Sequence, residues 1–414
     1  MIKSQFNIVS VRNNNVYIFN SLSTAFIKMS KNEWDHVFNL DDETKDVLMQ
    51  NGFLVESHTD ELNDYKYDFY SSIFDNSGLT LYITPTMLCN FCCFYCFEDG
   101  QKKQGIMTKL IEDRIVDFIA RNSQNPVYII WFGGEPLIGF NVMQSISKRL
   151  IEKGINFSSS LITNGSLLTM DKIAKLENLH LSLIQISMDG AKHDQDARRY
   201  FKDGRPSFDI IINNIRCLLE NTDIPLTIQV TVDKTNANGY DDLVQYCKEE
   251  FPTYYNSKRL QIGFNHVQNR TGFDVDNKCF SSDDLSYLKS RRISKCNDSS
   301  KKCDFLPQKA LACGYRSINT LSIDAEGYVY PCLEYLGDPS KAIGSLKDNK
   351  LSISKIKQCA FKYNPFDDEE CIHCSVLPLC GGGCPRDYEK ANCKEIRCTY
   401  LKDHLVDLLP LMDS

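Results

Sequence analysis

The chain has 414 residues, of which 42% are hydrophobic and 24% are charged, proportions that are ordinary for a globular protein of two or three domains. Its formal net charge of -7 argues against general binding to nucleic acids or to anionic membranes. The sequence has no apolar run long enough to span a bilayer, and its first residues lack the apolar segment of a signal peptide. We therefore expect a cytoplasmic protein with no nucleic-acid or membrane partner.

Residues 1–57 predict a small winged-helix-like module. Two alternating runs, FNIVSV and VYIFN, flank the letters RNNN and predict a β-hairpin. Helical stretches follow near 31–39 and 42–51, and a further strand is predicted near 53–57. Residues 58–78 are polar and rich in Tyr, which predicts a linker helix.

Residues 79–270 alternate between strand and helix patterns. Apolar runs predict six strands, at 79–85, 126–134, 155–165, 181–190, 225–234 and 260–267. Helical periodicity predicts the connecting helices, at 107–122, from the second strand to about 153, near 169–177, at 207–220 and at 239–250. Such alternation predicts parallel strands joined by right-handed crossovers. Six units are too few for a closed eight-stranded barrel, so we predict an α/β fold built on a partial (β/α)6 TIM-like barrel.

Residues 271–310 and 311–414 complete the chain. The first segment is polar and is predicted to bridge domains without a long element. The second is rich in Cys and Gly, predicts short strands, and ends in an amphipathic helix at 399–411. Many of the 18 cysteines of the chain stand in tight clusters. In a chain without an export signal, such clusters indicate metal or iron–sulfur ligands and not disulfides.

The first cysteine cluster follows the first predicted barrel strand. Cys89, Cys93 and Cys96 have the spacing C-x3-C-x2-C, and three thiolates can hold a [4Fe–4S] cluster while leaving one iron open for a reaction. Loops at the carboxyl ends of barrel strands commonly carry chemistry. With Tyr95 before its last cysteine, the motif resembles that of the radical S-adenosylmethionine (SAM) superfamily. A zinc site, or a register that uses Cys92 in place of Cys93, is the alternative.

Three further strand ends resemble the SAM-binding motifs of that superfamily. The loop WFGGEP after the second strand resembles the one that binds the methionine amino group. TNG after the third strand and SMDG after the fourth would bind the ribose and the carboxylate. The resemblance implies that the cofactor-binding residues here are Gly133, Gly134, Glu135, Asn164, Ser187 and Asp189.

The segment after the fourth strand carries two candidate arginines. Related enzymes often have His-Asp followed by Arg here, whereas this chain has Gln195 and Asp196, and a His-Asp pair two residues earlier leaves the register open. The resemblance implies that Arg198 or Arg199 clamps the methionine carboxylate, for which a bidentate guanidinium is suited. Arg199 is the preferred residue of the two.

The C-terminal cysteines match the seven-cysteine signature of SPASM domains, which are named after maturases of subtilosin, pyrroloquinoline quinone, anaerobic sulfatases and mycofactocin. The resemblance implies two auxiliary [4Fe–4S] clusters. Ligands of the first would be Cys313, Cys332 and Cys384, with Cys303, or Cys296 behind it, as the fourth. Ligands of the second would be Cys371, Cys374, Cys380 and Cys398, with Cys393 competing for the last place.

The N-terminal module resembles the peptide-recognition element of peptide-maturing enzymes. In that element the edge of a small sheet pairs with an extended leader peptide, which is β-augmentation. A capping domain that binds nothing is the alternative.

Together these features predict a radical SAM/SPASM enzyme that modifies a ribosomally synthesised precursor peptide. It would install an intramolecular crosslink, a thioether or a carbon–carbon bond, through a 5′-deoxyadenosyl radical. Its cofactors would be SAM and three [4Fe–4S] clusters. Its partners would be a precursor peptide with its leader and a reducing protein such as flavodoxin or ferredoxin.

Two alternatives stay open. An anaerobic sulfatase maturase, which generates formylglycine, often carries Asp after the cysteine equivalent to Cys332, whereas this chain has Leu333 and then Glu334. Glu334 is the candidate catalytic residue, although in an extended segment it would face away from the pocket that position 333 lines. The other alternative, an iron–sulfur electron carrier or a zinc-binding protein, would not need the GGE, TNG and SMDG motifs.

Overall fold

The computed structural model describes residues 1–96, 98, 105–122, 126–267, 278–296, 302–311, 313–348, 350–351, 353–390 and 398–413. The chain divides into two compact units. One, here called the barrel unit, comprises Asp75–Phe280 and Ile318–Cys359. The other, called the terminal unit, comprises Met1–Phe74, Ser281–Ser317 and Ala360–Ser414. Within the described ranges, no helix has both the length and the apolar character needed to cross a membrane.

The first part of the terminal unit contains a three-stranded antiparallel sheet. Its strands and those of a small pair beside it are β1 (Ile2–Lys3), β2 (Asn7–Arg12), β3 (Asn15–Asn20), β4 (Phe26–Ser30) and β5 (Leu54–Val55). The helices are α1 (Lys31–Asp35), α2 (Asp42–Gln50) and α3 (Glu61–Ile73). The sheet has the order β2-β3-β4, and β1 pairs with β5. The predicted hairpin is confirmed, and Asn13 and Asn14 have the positive φ values, 50° and 60°, that its tight turn requires.

Both faces of this sheet are covered within the terminal unit. One face packs through Val16, Ile18, Trp34, Val37 and Leu48. The other packs through Ile8, Tyr17, Phe19, Leu401 and Leu405. Strand β4, which was not predicted from the sequence, lies at the edge of the sheet. The winged-helix assignment of this module stays a prediction.

The barrel unit contains the six predicted parallel strands. They are β6 (Leu79–Ile83), β7 (Val127–Trp131), β8 (Phe157–Thr163), β9 (Leu181–Met188), β10 (Leu226–Val232) and β11 (Leu260–His266). The connecting helices are α4 (Lys109–Asn122), α5 (Phe140–Glu152), α6 (Met170–Ile173), α7 (Lys192–Arg198), α8 (Phe208–Asn221), α9 (Gly239–Glu250) and α10 (Pro252–Asn256). Each strand pairs in parallel with the next along the chain. The partial α/β barrel is therefore confirmed.

A further strand extends the barrel sheet beyond β6. Strand β12 (Thr320–Ile323) pairs in parallel with β6, and the sheet continues through antiparallel β13 (Tyr328–Tyr330), β14 (Gly344–Ser345) and β15 (Lys350–Leu351). The sequence assigned these residues to the Cys-rich domain that begins at 311. They join the barrel unit because β12 forms backbone hydrogen bonds with the first barrel strand.

The remaining helices include one in the segment that was expected to lack a long element. They are α11 (Ser282–Ser294), α12 (Ile353–Phe361), α13 (Glu369–Ile372), α14 (Leu377–Cys380), α15 (Pro385–Lys390) and α16 (Leu401–Leu408). Helix α11 contradicts the expectation for residues 271–310. Its polar sequence hides the helical period, but Ser281 and Asp284 form a capping box that signals its start.

Candidate functional site

The predicted cysteine cluster lies at the carboxyl ends of the barrel strands. Cys89, Cys93 and Cys96 follow β6 and line a cavity of about 1420 Å³, counted to its open mouth. The part of this space that the centres of water-sized molecules can reach is about 420 Å³, within the roughly 300–1,000 Å³ of small-molecule sites, so the cavity has the size of a cofactor site. Other predicted residues in its lining are Gly133, Gly134, Asn164, Ser187, Arg199 and Glu334. Three predicted residues are buried outside this lining, namely Glu135, Asp189 and Arg198.

Cys92 is separated from the other thiols of the motif. Its side chain is exposed and lies outside the cavity lining, while its N–H donates to the carbonyl of Tyr200 at 3.0 Å. Because Cys93 lines the cavity and Cys92 does not, the geometry favours the register C-x3-C-x2-C.

Hydrogen bonds from two neighbouring strand ends hold the cysteine loop. Asn90 accepts from the Asn164 amide at 2.8 Å and donates to the Ser166 hydroxyl at 2.9 Å, both in the loop after β8. Tyr95 donates its hydroxyl to the carboxylate of Asp189, after β9. The loop that carries the three cysteines is therefore hydrogen-bonded to the barrel at two points, Asn90 and Tyr95.

Two glycines allow the loop after β7 to pack against the cysteine loop. A Cβ at Gly134 would lie 2.5 Å from the carbonyl oxygens of Met87 and Leu88. A Cβ at Gly133, whose φ is 124°, would lie 2.5 Å from Thr84 Cγ2. No larger residue fits at either position without moving the backbone. The GG pair thus positions the segment that leads into the first cysteine.

Glu135 connects the ends of β7 and β8 through hydrogen bonds and does not line the cavity. Its side chain is fully buried. Oε1 accepts from the Leu137 N–H at 3.0 Å and the Thr163 hydroxyl at 2.8 Å, and Oε2 accepts from the Asn164 N–H at 2.8 Å. Burial raises the pKa of Glu135, while these donors stabilise its charged form. Contact of this carboxylate with a methionine amino group stays a prediction.

The two predicted arginines have different surroundings. Helix α7 ends at Arg198, and Arg199 leaves the helix with φ -125° and ψ 63°. Arg198 donates Nε to Asp189 at 2.8 Å and both Nη atoms to Asp233 at 3.1 and 3.0 Å. Arg199 lines the cavity and donates Nη1 to the Tyr95 hydroxyl at 2.7 Å, and its buried Nε has no hydrogen-bond partner among the described residues. Of the two, Arg199 is the one that presents a guanidinium to the cavity.

Gln195 and Asp196, which stand at the expected His-Asp position, form hydrogen bonds with the backbone and side chains around the site and do not line the cavity. Gln195 is buried, accepts from the Asp189 N–H at 3.0 Å and donates to the Ser207 hydroxyl at 2.9 Å. Asp196 accepts from the Ser207 N–H at 2.9 Å, directly before α8. Burial raises the pKa of Asp189, against the effect of the adjacent arginines. In the earlier His-Asp pair, the side chain of His193 is 95% exposed and that of Asp194 is 21% exposed, so the histidine lies at the surface.

The thiols of Cys89 and Cys93 would be protonated at neutral pH without a metal. Burial raises the pKa of Cys89 to about 11 and that of Cys93 to about 12. Metal ligation requires thiolates, so cluster assembly would release protons at this site. Three cysteines in the lining of one cavity form a donor set that fits a [4Fe–4S] cluster with one open iron.

Polar side chains of three strands complete the lining and were missed in the sequence. They are Gln185 on β9, Gln229 and Thr231 on β10, and Asn265 and His266 on β11. Gln229 and Thr231 stand two residues apart and so share a face of the strand. Gly263 lies opposite Gln229 in the β10–β11 register, and a Cβ there would lie 2.5 Å from the Gln229 amide oxygen. Polar residues that alternate with apolar ones in these strands are the sequence pattern that could have predicted this part of the cavity lining.

The segment after Cys332 is a 3₁₀ helix, Leu333–Tyr335, and not the extended segment assumed from the sequence. The alternation of faces in an extended chain therefore does not apply, and the expectation that Glu334 faces away was wrong. Leu333 and Glu334 both line the barrel cavity. Glu334 thus belongs to the lining of the cavity that also contains the three cysteines.

A second cavity, within the terminal unit, is lined by four of the C-terminal cysteines. Its volume is about 500 Å³ when the open solvent at its mouth is included, and its lining includes Cys371, Cys374, Cys380 and Cys398. These are the four predicted ligands of the second auxiliary cluster. The competing Cys393 lies outside the described residues.

Three successive glycines after Cys380 shape this second cavity. Gly381, Gly382 and Gly383 have φ values of 57°, 79° and 82°, in the left-handed region that favours glycine. Burial raises the pKa of the Cys380 thiol, and the N–H groups of Gly382 and Gly383 counteract this rise. The glycine turn therefore directs backbone donors at a predicted sulfur ligand.

The predicted ligands of the first auxiliary cluster are divided between the two units. Cys332 belongs to the barrel unit, whereas Cys313 and Cys384 belong to the terminal unit. Cys303 begins the 3₁₀ helix Cys303–Phe305, and its side chain lies outside the described part of the chain. This ligand set stays a prediction.

Comparison with known proteins agrees with this site. Residues 83–245 match the Radical SAM superfamily. The cysteine-type anaerobic sulfatase-maturating enzyme of Clostridium novyi is 25% identical over 339 residues, which cover 75% of this chain and 89% of that protein. The radical SAM cyclopropyl synthase TigE of Paramaledivibacter caminithermalis is 22% identical over 402 residues, which cover 87% of this chain and 80% of that protein.

A solved structure shows the same fold. Streptococcus suis SuiB, bound to its precursor peptide SuiA, superposes with a TM-score of 0.58 at 15% identity, and the match covers 96% of this chain and 99% of SuiB. The cysteine motif, the partial barrel and the family match across 83–245 lead to one conclusion. The protein is an enzyme with a Radical SAM domain over residues 83–245, and it is similar in sequence to anaerobic sulfatase-maturating enzymes.

Proposed function

We propose that the protein installs an intramolecular crosslink, a thioether or a carbon–carbon bond, in a ribosomally synthesised precursor peptide. The observation that carries this proposal is the sheet β2–β4, whose faces are covered and whose edge strand β4 offers backbone groups to an extended leader peptide. The likeness to SuiB covers 96% of the chain and so includes most of residues 1–57. The sulfatase-maturating relative matches 75% of the chain.

The barrel cavity would hold SAM and its cluster. Cys89, Cys93 and Cys96 would be the cluster ligands, and Arg199, oriented by the Tyr95 hydroxyl, would bind the SAM carboxylate. When bound, SAM and the clusters supply the radical that removes one hydrogen atom from the peptide and an acceptor for the electron released afterwards.

Glu334 would be the catalytic base. Closing a crosslink removes two hydrogens from the peptide, one as the abstracted atom and the other as a proton. Glu334 lines the same cavity as the three thiols, so its carboxylate would be near a peptide bound beside SAM and would accept that proton.

We further propose two auxiliary clusters, which makes three clusters in all. The ligands of the second would be Cys371, Cys374, Cys380 and Cys398, and those of the first would be Cys303, Cys313, Cys332 and Cys384. Flavodoxin or ferredoxin would deliver electrons in the cytoplasm, where a reducing environment keeps thiols available for ligation.

Formylglycine generation on a sulfatase is the second candidate function. The 25% identity to the Clostridium novyi enzyme favours it, and so does the presence of a carboxylate, Glu334, in the cavity. The residue directly after Cys332 is nevertheless Leu333, where the resembling sulfatase maturases often carry Asp.

Mass spectrometry of co-expressed peptides distinguishes the two functions. We expect a precursor peptide encoded beside the gene to lose two hydrogen atoms per modification, and Glu334→Gln to reduce that product. A sulfatase-type Cys or Ser peptide should give no formylglycine, with wild-type enzyme or with Leu333→Asp. Formylglycine on the sulfatase peptide, or loss of one water from the precursor peptide, would contradict the crosslink proposal.

Iron analysis tests the proposed ligands of the second auxiliary cluster. Because Cys398 lines the second cavity, Cys398→Ala should remove up to about four iron atoms per chain after anaerobic reconstitution. Cys393→Ala is the matched control, since it removes a thiol five residues away and should leave the iron content unchanged. The opposite pattern would move the last ligand to Cys393.

A further inference from the structure

The terminal unit contains a buried guanidinium that the proposed reaction does not use. The side chain of Arg316 is only 2% exposed. Its Nη2 donates to the Tyr363 carbonyl at 2.7 Å, and its Nη1 lies 3.5 Å from the Gly381 carbonyl. The guanidinium carbon lies 5.6 Å from the ring centroid of Phe69. Its buried Nε has no hydrogen-bond partner within the described residues.

All these contacts of Arg316 are with neutral groups. Two carbonyl oxygens and an aromatic ring surround it, and no carboxylate in the described part of the chain forms an ion pair with it. An arginine stays protonated in proteins, and a buried charge is costly unless an opposite charge compensates it. The direct contacts of Arg316 therefore do not neutralise its charge, and an anion nearby would stabilise it.

The second cysteine cavity is a source of negative charge that adjoins Arg316. Gly381, which contacts Arg316, directly follows Cys380, one of the four cysteines in that lining. Burial raises the pKa of Tyr65, Cys380 raises it further, and Arg316 lowers it, so the thiol and the guanidinium both act on one ring. Four thiolates around a cluster would give this cavity a net negative charge.

We propose that Arg316 is a positioning residue that supplies the compensating positive charge for the auxiliary cluster at Cys371, Cys374, Cys380 and Cys398, and that it raises the reduction potential of that cluster. This inference rests on the cluster assigned under the proposed function. Reduction adds one negative charge to the cluster, and a cation held in a poorly solvated environment stabilises that charge more than a solvated cation does. Cluster potentials respond to such local charges.

Lys402 provides a matched comparison. It also carries one positive charge near the same cysteines, since its Nζ lies 3.9 Å from the Cys398 sulfur. Unlike Arg316, Lys402 is exposed. Water and salt should therefore screen Lys402 but not Arg316.

The test is a redox titration of the full-length protein, reconstituted without oxygen and followed by electron paramagnetic resonance, with iron content measured in parallel. Arg316→Gln should keep its iron and make reduction of the auxiliary cluster at least tenfold less favourable, a shift of about 59 mV to more negative potential for one electron. Lys402→Gln should give a smaller shift that shrinks with added salt. Arg316→Lys should restore most of the wild-type potential because it keeps the charge.

Three results would overturn the inference. The first is an Arg316→Gln variant with full iron content and an unchanged reduction potential of the auxiliary cluster. The second is an Arg316→Lys variant that retains its iron but has the same reduction potential as Arg316→Gln. The third is a shift in Lys402→Gln as large as that in Arg316→Gln. Wild-type protein without an auxiliary signal would instead refute the cluster itself, and with it the proposed function's ligand set.

Discussion

Replacing Cys89, Cys93 and Cys96 together with alanine should remove about four iron atoms per chain and abolish reductive cleavage of SAM. The three thiols line one cavity at the barrel strand ends. Without them no cluster would stand beside the SAM site, so no 5′-deoxyadenosine should form. Iron analysis after anaerobic reconstitution and chromatography of SAM products measure both effects.

Cys92→Ala is the matched control for that triple variant. Cys92 belongs to the same loop but is exposed and lies outside the cavity. It should keep the wild-type iron content and the wild-type yield of 5′-deoxyadenosine. Cleavage that survives the triple change, or cleavage that is lost in Cys92→Ala, would contradict the assigned register.

Gly134→Ala should lower SAM cleavage on the order of a hundredfold, because a shift of about 1 Å in a reacting group can cost that much. The new methyl group would lie 2.5 Å from two backbone carbonyl oxygens, those of Met87 and Leu88. Backbone atoms cannot move aside as a flexible side chain would, so the segment leading to Cys89 has to shift. The rate of 5′-deoxyadenosine formation under reducing conditions measures the effect.

Gly105→Ala is the control for the glycine change. A Cβ at Gly105 would meet no heavy atom of the described residues within 4 Å, so this variant should cleave SAM at the wild-type rate. Circular dichroism of both variants shows whether the fold is retained. A folded Gly134→Ala enzyme with full activity would show that the close packing of these two loops is not needed for the site.

The sequence predicted the barrel and the cysteine motif because both depend on local patterns. Buried parallel strands carry apolar runs, and a ligand motif in one loop has a fixed spacing. Strand β12 was different, since four residues from Thr320 to Ile323 carry too little periodicity to indicate a barrel neighbour. Its pairing with β6 depends on contacts between distant parts of the chain.

The roles of individual charged residues were less accessible to sequence reasoning. Arg198 and Arg199 are adjacent and both pair with Asp189. Because helix α7 ends between them, Arg198 also pairs with Asp233, whereas Arg199 lines the cavity. Glu135 has the pattern of a ligand residue, yet both its oxygens accept hydrogen bonds from the protein. Glu334 was assigned to the wrong side because a single 3₁₀ turn replaced the expected extended segment.

The most direct test of the central claim, that this enzyme removes a hydrogen atom from a peptide, is the isotope content of 5′-deoxyadenosine. The precursor peptide encoded beside the gene would be made with deuterium at its carbon-bound positions and incubated with enzyme, SAM and reductant. We predict that mass spectrometry finds one deuterium transferred into 5′-deoxyadenosine for each crosslink formed. Modified peptide accompanied by unlabelled 5′-deoxyadenosine would contradict the account.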